Sequence, residues 1–269
     1  MTNDNGEWSG KLLRDRRAVA DWEKWISIAH PADEGSPLAG DDRLYPPFPV
    51  SRAAIQGLGS AIDHLGLFHA ALEKTQTSRP FGYFTLARAA MFAAARTIWI
   101  LSPAQRPERQ RRSLWLAHED LRQYRNFTET LPAVLFADTE LPARELTEIT
   151  EQLKLMDEAA AWVDLIFKSN ERPRDSHIVD SAAAWLDSQP TGLEEPGSSV
   201  RMLWRIHSGH AHGLSWSMQG QQEVVTRNAD RSGTIKVTAS VAEMATASLA
   251  AATTTNQALI LYEQRASRH

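Results

Sequence analysis

The stretch 81-FGYFTLARAAMFAAARTIWIL-101 decides how this chain folds. Its most apolar window runs from Thr85 to Leu101. Arg88 and Arg96 interrupt that window, and it is too short to span a bilayer comfortably. Its alanines let neighbouring helices approach closely, and Ser102-Pro103 ends it. The reading is a buried core helix of a soluble protein, and the remaining segments follow as its neighbours.

On the N-terminal side, Ser51 is placed to cap a long helix reaching about Thr77. Its apolar face includes Ile55, Leu58, Ile62, Leu65 and Phe68 at helical spacing. Before it, Asp33 to Val50 reads as loop, ending in the stiff run Pro46-Pro47-Phe48-Pro49. An earlier helix over Lys11 to Ala29 carries Leu12, Leu13, Val19, Trp22, Trp25 and Ile26, and His30-Pro31 closes it. Residues 1–50 are therefore expected to form an N-terminal helix and Pro-rich loop set apart from a helical domain over 51–269.

On the C-terminal side, Gln105 to Leu131 reads as a long amphipathic helix stopped by Pro132. Pro142 to Lys168 follows, with Pro142 suited to a first turn. Asp175 to Ser188 is shorter. Ser198 or Ser199 is placed to cap a helix around Arg205. The period then changes. Gln222 to Thr226 and Thr234 to Ala239 are β-branched and partly alternating, with 228–233 between them, which reads as a β-hairpin. Val241 to Arg265 returns to helix, although Thr253, Thr254 and Thr255 lower its helix propensity. The expected fold is mainly α, an antiparallel helical bundle with one β-hairpin insertion near 222–239.

Composition narrows the function classes. The chain has 269 residues, 42% hydrophobic and 23% charged, with a net charge of −4, so any nucleic-acid contact needs a local basic patch. It has no cysteine, which excludes a disulfide scaffold, thiol catalysis and Cys-type zinc or iron–sulfur sites. Met1 to Gly10 lacks the apolar core of a signal peptide. A cytoplasmic protein with no membrane association is expected. No Gly-rich phosphate loop, G-x-S-x-G elbow, H-E-x-x-H or EF-hand loop occurs, and no cofactor is expected.

The chemistry concentrates in Trp204-Arg205-Ile206-His207-Ser208-Gly209-His210-Ala211-His212-Gly213. On a helix, Arg205, Ser208 and His212 fall on one stripe, because seven steps of roughly 100° return to nearly the same face. Three readings compete. In a phosphodiester site, Arg205 holds phosphate through its planar fork, His212 exchanges a proton near neutral pH and Ser208 orients the phosphate. In a metal site, His207, His210 and His212 ligate zinc, but they point to different faces of one helix and no carboxylate lies within the run. In a structural reading, the histidines pack between tryptophans and Arg205 pairs with a carboxylate. A second cluster, Arg106, Arg109 and Arg112, shares one helical face near Trp115 and Tyr124. It reads either as an RNA-facing patch or as a solvated face diluted by Glu108, Glu119 and Asp120. His64, His69 and His118 are scattered and read as surface or satisfied core groups.

At Arg205–His212 the chain resembles the HEPN superfamily (higher eukaryotes and prokaryotes nucleotide-binding domains). There, an Arg is followed, after four to six residues, by a His late in a helical bundle. Four intervening residues reach His210 and six reach His212. His212 is preferred because only it returns to the face of Arg205, and His210 stands as the alternative. The wider pattern of Trp204-Arg205, Ser208 and Ala211-His212-Gly213 resembles actinobacterial-type proteins associated with this group, which look similar in the Arg88 to Leu101 helix and Ser102-Pro103 as well, so that the resemblance spans about Ser51 to Gly213. It implies a homodimer whose two Arg/His pairs face one cleft. It also implies RNA or nucleotide as ligand, and metal-independent cleavage in which the ribose 2′-OH attacks its own phosphate to leave a cyclic phosphate. An antitoxin or nucleotidyltransferase partner and a role in toxin–antitoxin or phage-defence systems belong to the same expectation. Active members often carry a polar residue directly after the Arg, where this chain has Ile206.

Two other classes remain at the sequence level. One is a non-enzymatic helical scaffold or regulator. The other is a winged-helix-like DNA-binding module, suggested by the order of helix, turn, helix and hairpin. Charge opposes the latter, because Asp175 to Lys236 carries more Asp and Glu than Arg and Lys.

Overall fold

A computed structural model of the chain describes residues 4–75, 78–132, 141–167, 173–227 and 233–268. Nine α-helices and one hairpin make up the described part: α1 Asp4–Ile26, α2 Pro37–Asp42, α3 Val50–Thr75, α4 Pro80–Leu101, α5 Arg106–Glu129, α6 Leu141–Ala161, α7 Asp175–Asp187, α8 Pro196–Ala211, β1 Gln222–Arg227, β2 Gly233–Val237 and α9 Val241–Ala266. The fold is a mainly α bundle, and its two strands pair antiparallel. The turn between them, at 228–232, lies outside the described residues.

Helix α4 is the axis of the bundle. It packs against α3, α5, α7, α8 and α9. Ala87, Ala90, Ala94 and Ala95 are fully buried along it, together with Met91, Ile98 and Leu101. Small side chains at these positions let several helices come close to one another. Gly57 of α3 serves the same end, since a Cβ there would stand 2.9 Å from the Ala93 carbonyl. The helix is long and apolar enough to cross a membrane, but 67% of its most apolar window is buried within the protein.

Helices α1 and α2 are not set apart from this core. Val19 and Leu38 lie in the same apolar cluster as α4, and α1 packs against α3 and α9. The stretch read as loop before residue 50 contains α2. Ser36 caps it by accepting from the Ala39 N–H at 3.1 Å, and Pro37 occupies the first turn. Six residues are too few for periodicity to reveal.

Two expected caps are supplied from outside their own helices. Ser51 lies inside α3, and its N–H donates to Asp42 Oδ1 of α2 at 2.9 Å. Helix α8 begins at Pro196, before Ser198, and its Gly197 N–H donates to Asp187 Oδ1 of α7 at 2.7 Å. A carboxylate from the preceding helix thus takes the place of a local serine. In α9 the threonines are accommodated by burial. The Thr254 and Thr255 hydroxyls donate to the Ala250 and Ala251 carbonyls at 2.7 and 2.8 Å.

Candidate functional site

Helix α8 has two chemically different faces. Val200, Leu203, Trp204, His207 and His210 are buried, while Arg205 and His212 are exposed and Ser208 is half-buried. The helix lies against α4, α7 and α9, which fixes which stripe points outward. Gly209 is required for the remaining neighbour, a 3-10 turn over Ser215–Met218. A Cβ at Gly209 would meet the Ser217 side chain at 2.5 Å.

Arg205 and Ser208 lie on α8 and His212 follows its last residue; Arg205 and His212 are exposed, and Ser208 is half-buried. Each is held differently. The Ser208 hydroxyl donates to the Trp204 carbonyl at 2.7 Å and accepts from Arg88 Nε of α4, also at 2.7 Å. Arg88 in turn lies over the Trp204 ring, 5.3 Å from its centroid. Arg205 reaches Asp180 Oδ2 of α7 only at 3.5 Å, while Arg201 takes the other oxygen of that carboxylate at 2.9 Å. One carboxylate therefore faces two guanidinium groups, and the stripe keeps a net positive charge. His212 is the C-terminal cap residue of α8. Its backbone N–H donates to the Ser208 carbonyl at 3.1 Å, and its ring makes no bond to another described residue.

The inward histidines do different work. His210 is buried, with Nε2 2.9 Å from Gln221 Oε1 and Nδ1 3.0 Å from the Ile206 carbonyl. Gln221 Nε2 donates onward to Glu243 Oε1 of α9 at 2.6 Å. This chain ties α8 to the start of α9. With both ring nitrogens engaged inside the protein, His210 does not stand in for His212 on the surface stripe. His207 stacks on Phe84 at 4.5 Å between centroids, and its Nδ1 has no partner. Burial, with a smaller contribution from His210, pushes its pKa down to about 3, so its ring is neutral at neutral pH.

The arginines of α5 do not form the expected RNA-facing patch. Arg109 is buried and grips Asp41 of α2 with Nε and Nη2 at 2.6 and 2.8 Å. Its Nη1 donates to the Pro103 and Ala104 carbonyls at 2.9 and 2.8 Å. Arg106 adds a contact to the same carboxylate at 3.3 Å. Arg112 bonds Glu108 and the Trp99 carbonyl, each at 2.8 Å. These side chains fasten α5 to α2 and α4, so the basic face read from the sequence is a structural one.

Among the described residues no group of three or more His, Cys, Asp or Glu is arranged to hold a metal ion. Sequence reasoning missed Arg88 and Asp180, the two groups that position Ser208 and Arg205. Neither has a local signature, since each lies on a different helix from its partner. Comparisons with family models, curated proteins and solved structures each return no match.

Proposed function

We propose that the protein binds RNA or nucleotides at the Arg205–Ser208–His212 stripe of α8 and acts there as a metal-independent endoribonuclease of HEPN type. The observation that supports this reading is an exposed cation on α8 and an exposed imidazole at its C-terminal cap, with a half-buried hydroxyl between them in sequence that is joined to Arg88.

In the proposed reaction His212 takes the proton of a ribose 2′-OH. The 2′-oxygen bonds to the adjacent phosphorus as the bond from phosphorus to the 5′-oxygen breaks. A 2′,3′-cyclic phosphate remains, and the leaving 5′-oxygen is protonated by solvent. Arg205 holds the phosphate and offsets charge that builds on its oxygens. Its single loose contact to Asp180 leaves donors for that role. A homodimer would set two such stripes around one strand, and exposed Met202, Leu214 and Trp216 offer apolar surface beside the stripe for a second copy. A protein partner, antitoxin or nucleotidyltransferase, belongs to the same reading.

Cleavage of single-stranded RNA in EDTA tests it. Arg205→Ala and His212→Ala are each expected to abolish cleavage while leaving the circular dichroism spectrum intact. Activity that survives both substitutions, or that requires added zinc, overturns the assignment. A non-enzymatic helical scaffold is the second reading, favoured by the bonds that join Arg88 to Ser208 and Arg201 and Arg205 to Asp180. Under it, the same substitutions lower stability and change no activity.

A further inference from the structure

Arg88, Phe92 and Arg96 stand at four-residue spacing on α4, so they form one stripe. All three border open cavities. A cavity of about 520 Å³ lies between α4, α5 and the start of α7, with Trp204 in its wall. A second, of about 440 Å³, lies between α4, α3 and Phe48. Phe92, Arg96, Leu116 and Asp120 border both, so the two lobes are one groove with a waist. Each lobe is within the size range of small-ligand sites.

Both signs of charge line the groove: Arg96, Arg174, Glu119, Asp120 and Asp175 in the lobe beside α7, and Arg88, Arg96 and Asp120 in the other. Arg96, half-buried at the waist, makes no hydrogen bond or ion pair with any described residue. Arg88 bonds the neutral Ser208. A guanidinium beside apolar walls favours an anionic occupant, because desolvation raises the cost of leaving its charge alone. Aromatic surface lies next to these cations, with Phe92 and Trp204 6.2 Å apart at an interplanar angle of 30°. Asp120 at the waist offers an acceptor for hydroxyl or exocyclic amino groups.

We infer that this groove is a single-strand track: it holds two successive nucleotides, one per lobe, with the linking phosphodiester on Arg96 and a base against Phe92. The track continues through Arg88 to Ser208 and so to the α8 stripe, and the inference rests on the RNA reading above. Arg88 and Arg96 are eight residues apart, or roughly 12 Å along the axis. An extended strand lying along α4 therefore meets a cation, an aromatic face and a second cation in turn, the combination that single-strand binders use.

Fluorescence anisotropy with a labelled short single-stranded RNA, and competition by an unlabelled dinucleotide, test the track on the full chain. Phe92→Ala is expected to weaken RNA binding by roughly fivefold to a hundredfold. Arg96→Ala is expected to reduce the slope of log affinity against log salt by about 0.7, and Arg96→Lys to retain it. Thermal melting of each variant reports whether the bundle is intact. The dinucleotide is expected to compete with RNA on the wild type and to lose that competition on Arg96→Ala. If folded Arg96→Ala and Phe92→Ala bind RNA as the wild type does, or if the dinucleotide competes equally on both proteins, the track is overturned while the α8 reading stands. If the wild type binds neither RNA nor dinucleotide, the reading of the α8 stripe falls and the track falls with it.

Discussion

The arginines of α5 and those of α4 make opposite use of the same side chain. Helix α5 looks basic in sequence, yet Arg109 is fully enclosed by Asp41 and two carbonyls, and Arg112 by Glu108 and the Trp99 carbonyl. Helix α4 looks like an apolar core helix, yet Arg96 has no described partner and Arg88 has only a hydroxyl and an indole face. A count of basic residues therefore does not tell which guanidinium groups are held by other elements. What decides availability is whether acceptors from other elements converge on the guanidinium. On α5 they do, because α2 and the 103–104 turn pack directly against it.

The largest effect expected from this contrast is at Asp41. Asp41→Ala strands the buried Arg109 charge and is expected to lower stability by about 3–5 kcal/mol, measured by urea unfolding. Arg96→Ala should stay within about 0.5 kcal/mol in the same assay, since Arg96 makes no bond to another described residue. A similar loss at both positions would erase the distinction between the two helices.

A second contrast lies within α8, between its buried and exposed histidines. His207 has its pKa pushed down to about 3, and His69 of α3 has its own pushed down to about 4, in both cases chiefly by burial. Between these values and about 6.5 the unfolded chain binds protons that the folded chain does not. The stability they contribute is therefore full above about pH 6.5 and is lost as pH falls, at up to roughly 1.4 kcal/mol per pH unit for each group. Asp15, raised by burial to about 6, acts in the opposite sense, its contribution being lost as pH rises through about 6. His207→Phe keeps the stacking on Phe84 and removes the partnerless Nδ1, so it should flatten acid destabilisation measured from pH 7 to 4. Unchanged acid sensitivity in that variant would show that His207 does not titrate as a buried group.

A small stability effect is also expected on the exposed stripe. Arg205→Ala removes one loose contact to a carboxylate already held by Arg201, and should cost at most about 1 kcal/mol. A larger loss in thermal or urea melts would show that Arg205 fastens α8 to α7 through Asp180.

Much of the fold was legible because helix formation is local. The apolar spacing in α3, the proline stops after α4 and α5, and the β-branched run near 222–237 each announce their element within a few residues. The helical spacing of Arg205, Ser208 and His212 was legible for the same reason, being a property of one segment. The sequence by itself therefore determined a mainly α chain with one hairpin and the composition of the α8 stripe. Tertiary structure alone decided which charges remain available. Asp41 reaches Arg109 across 68 positions of sequence and Arg88 reaches Ser208 across 120, and no local pattern encodes such meetings. It also decided that α1 and α2 join the core, and that Asp42 and Asp187 cap helices other than their own. The physical reason is common to all of these. A periodic pattern specifies which face of a helix is apolar, whereas the partner of a buried polar group is fixed only when the packed helices bring donors and acceptors within bonding distance.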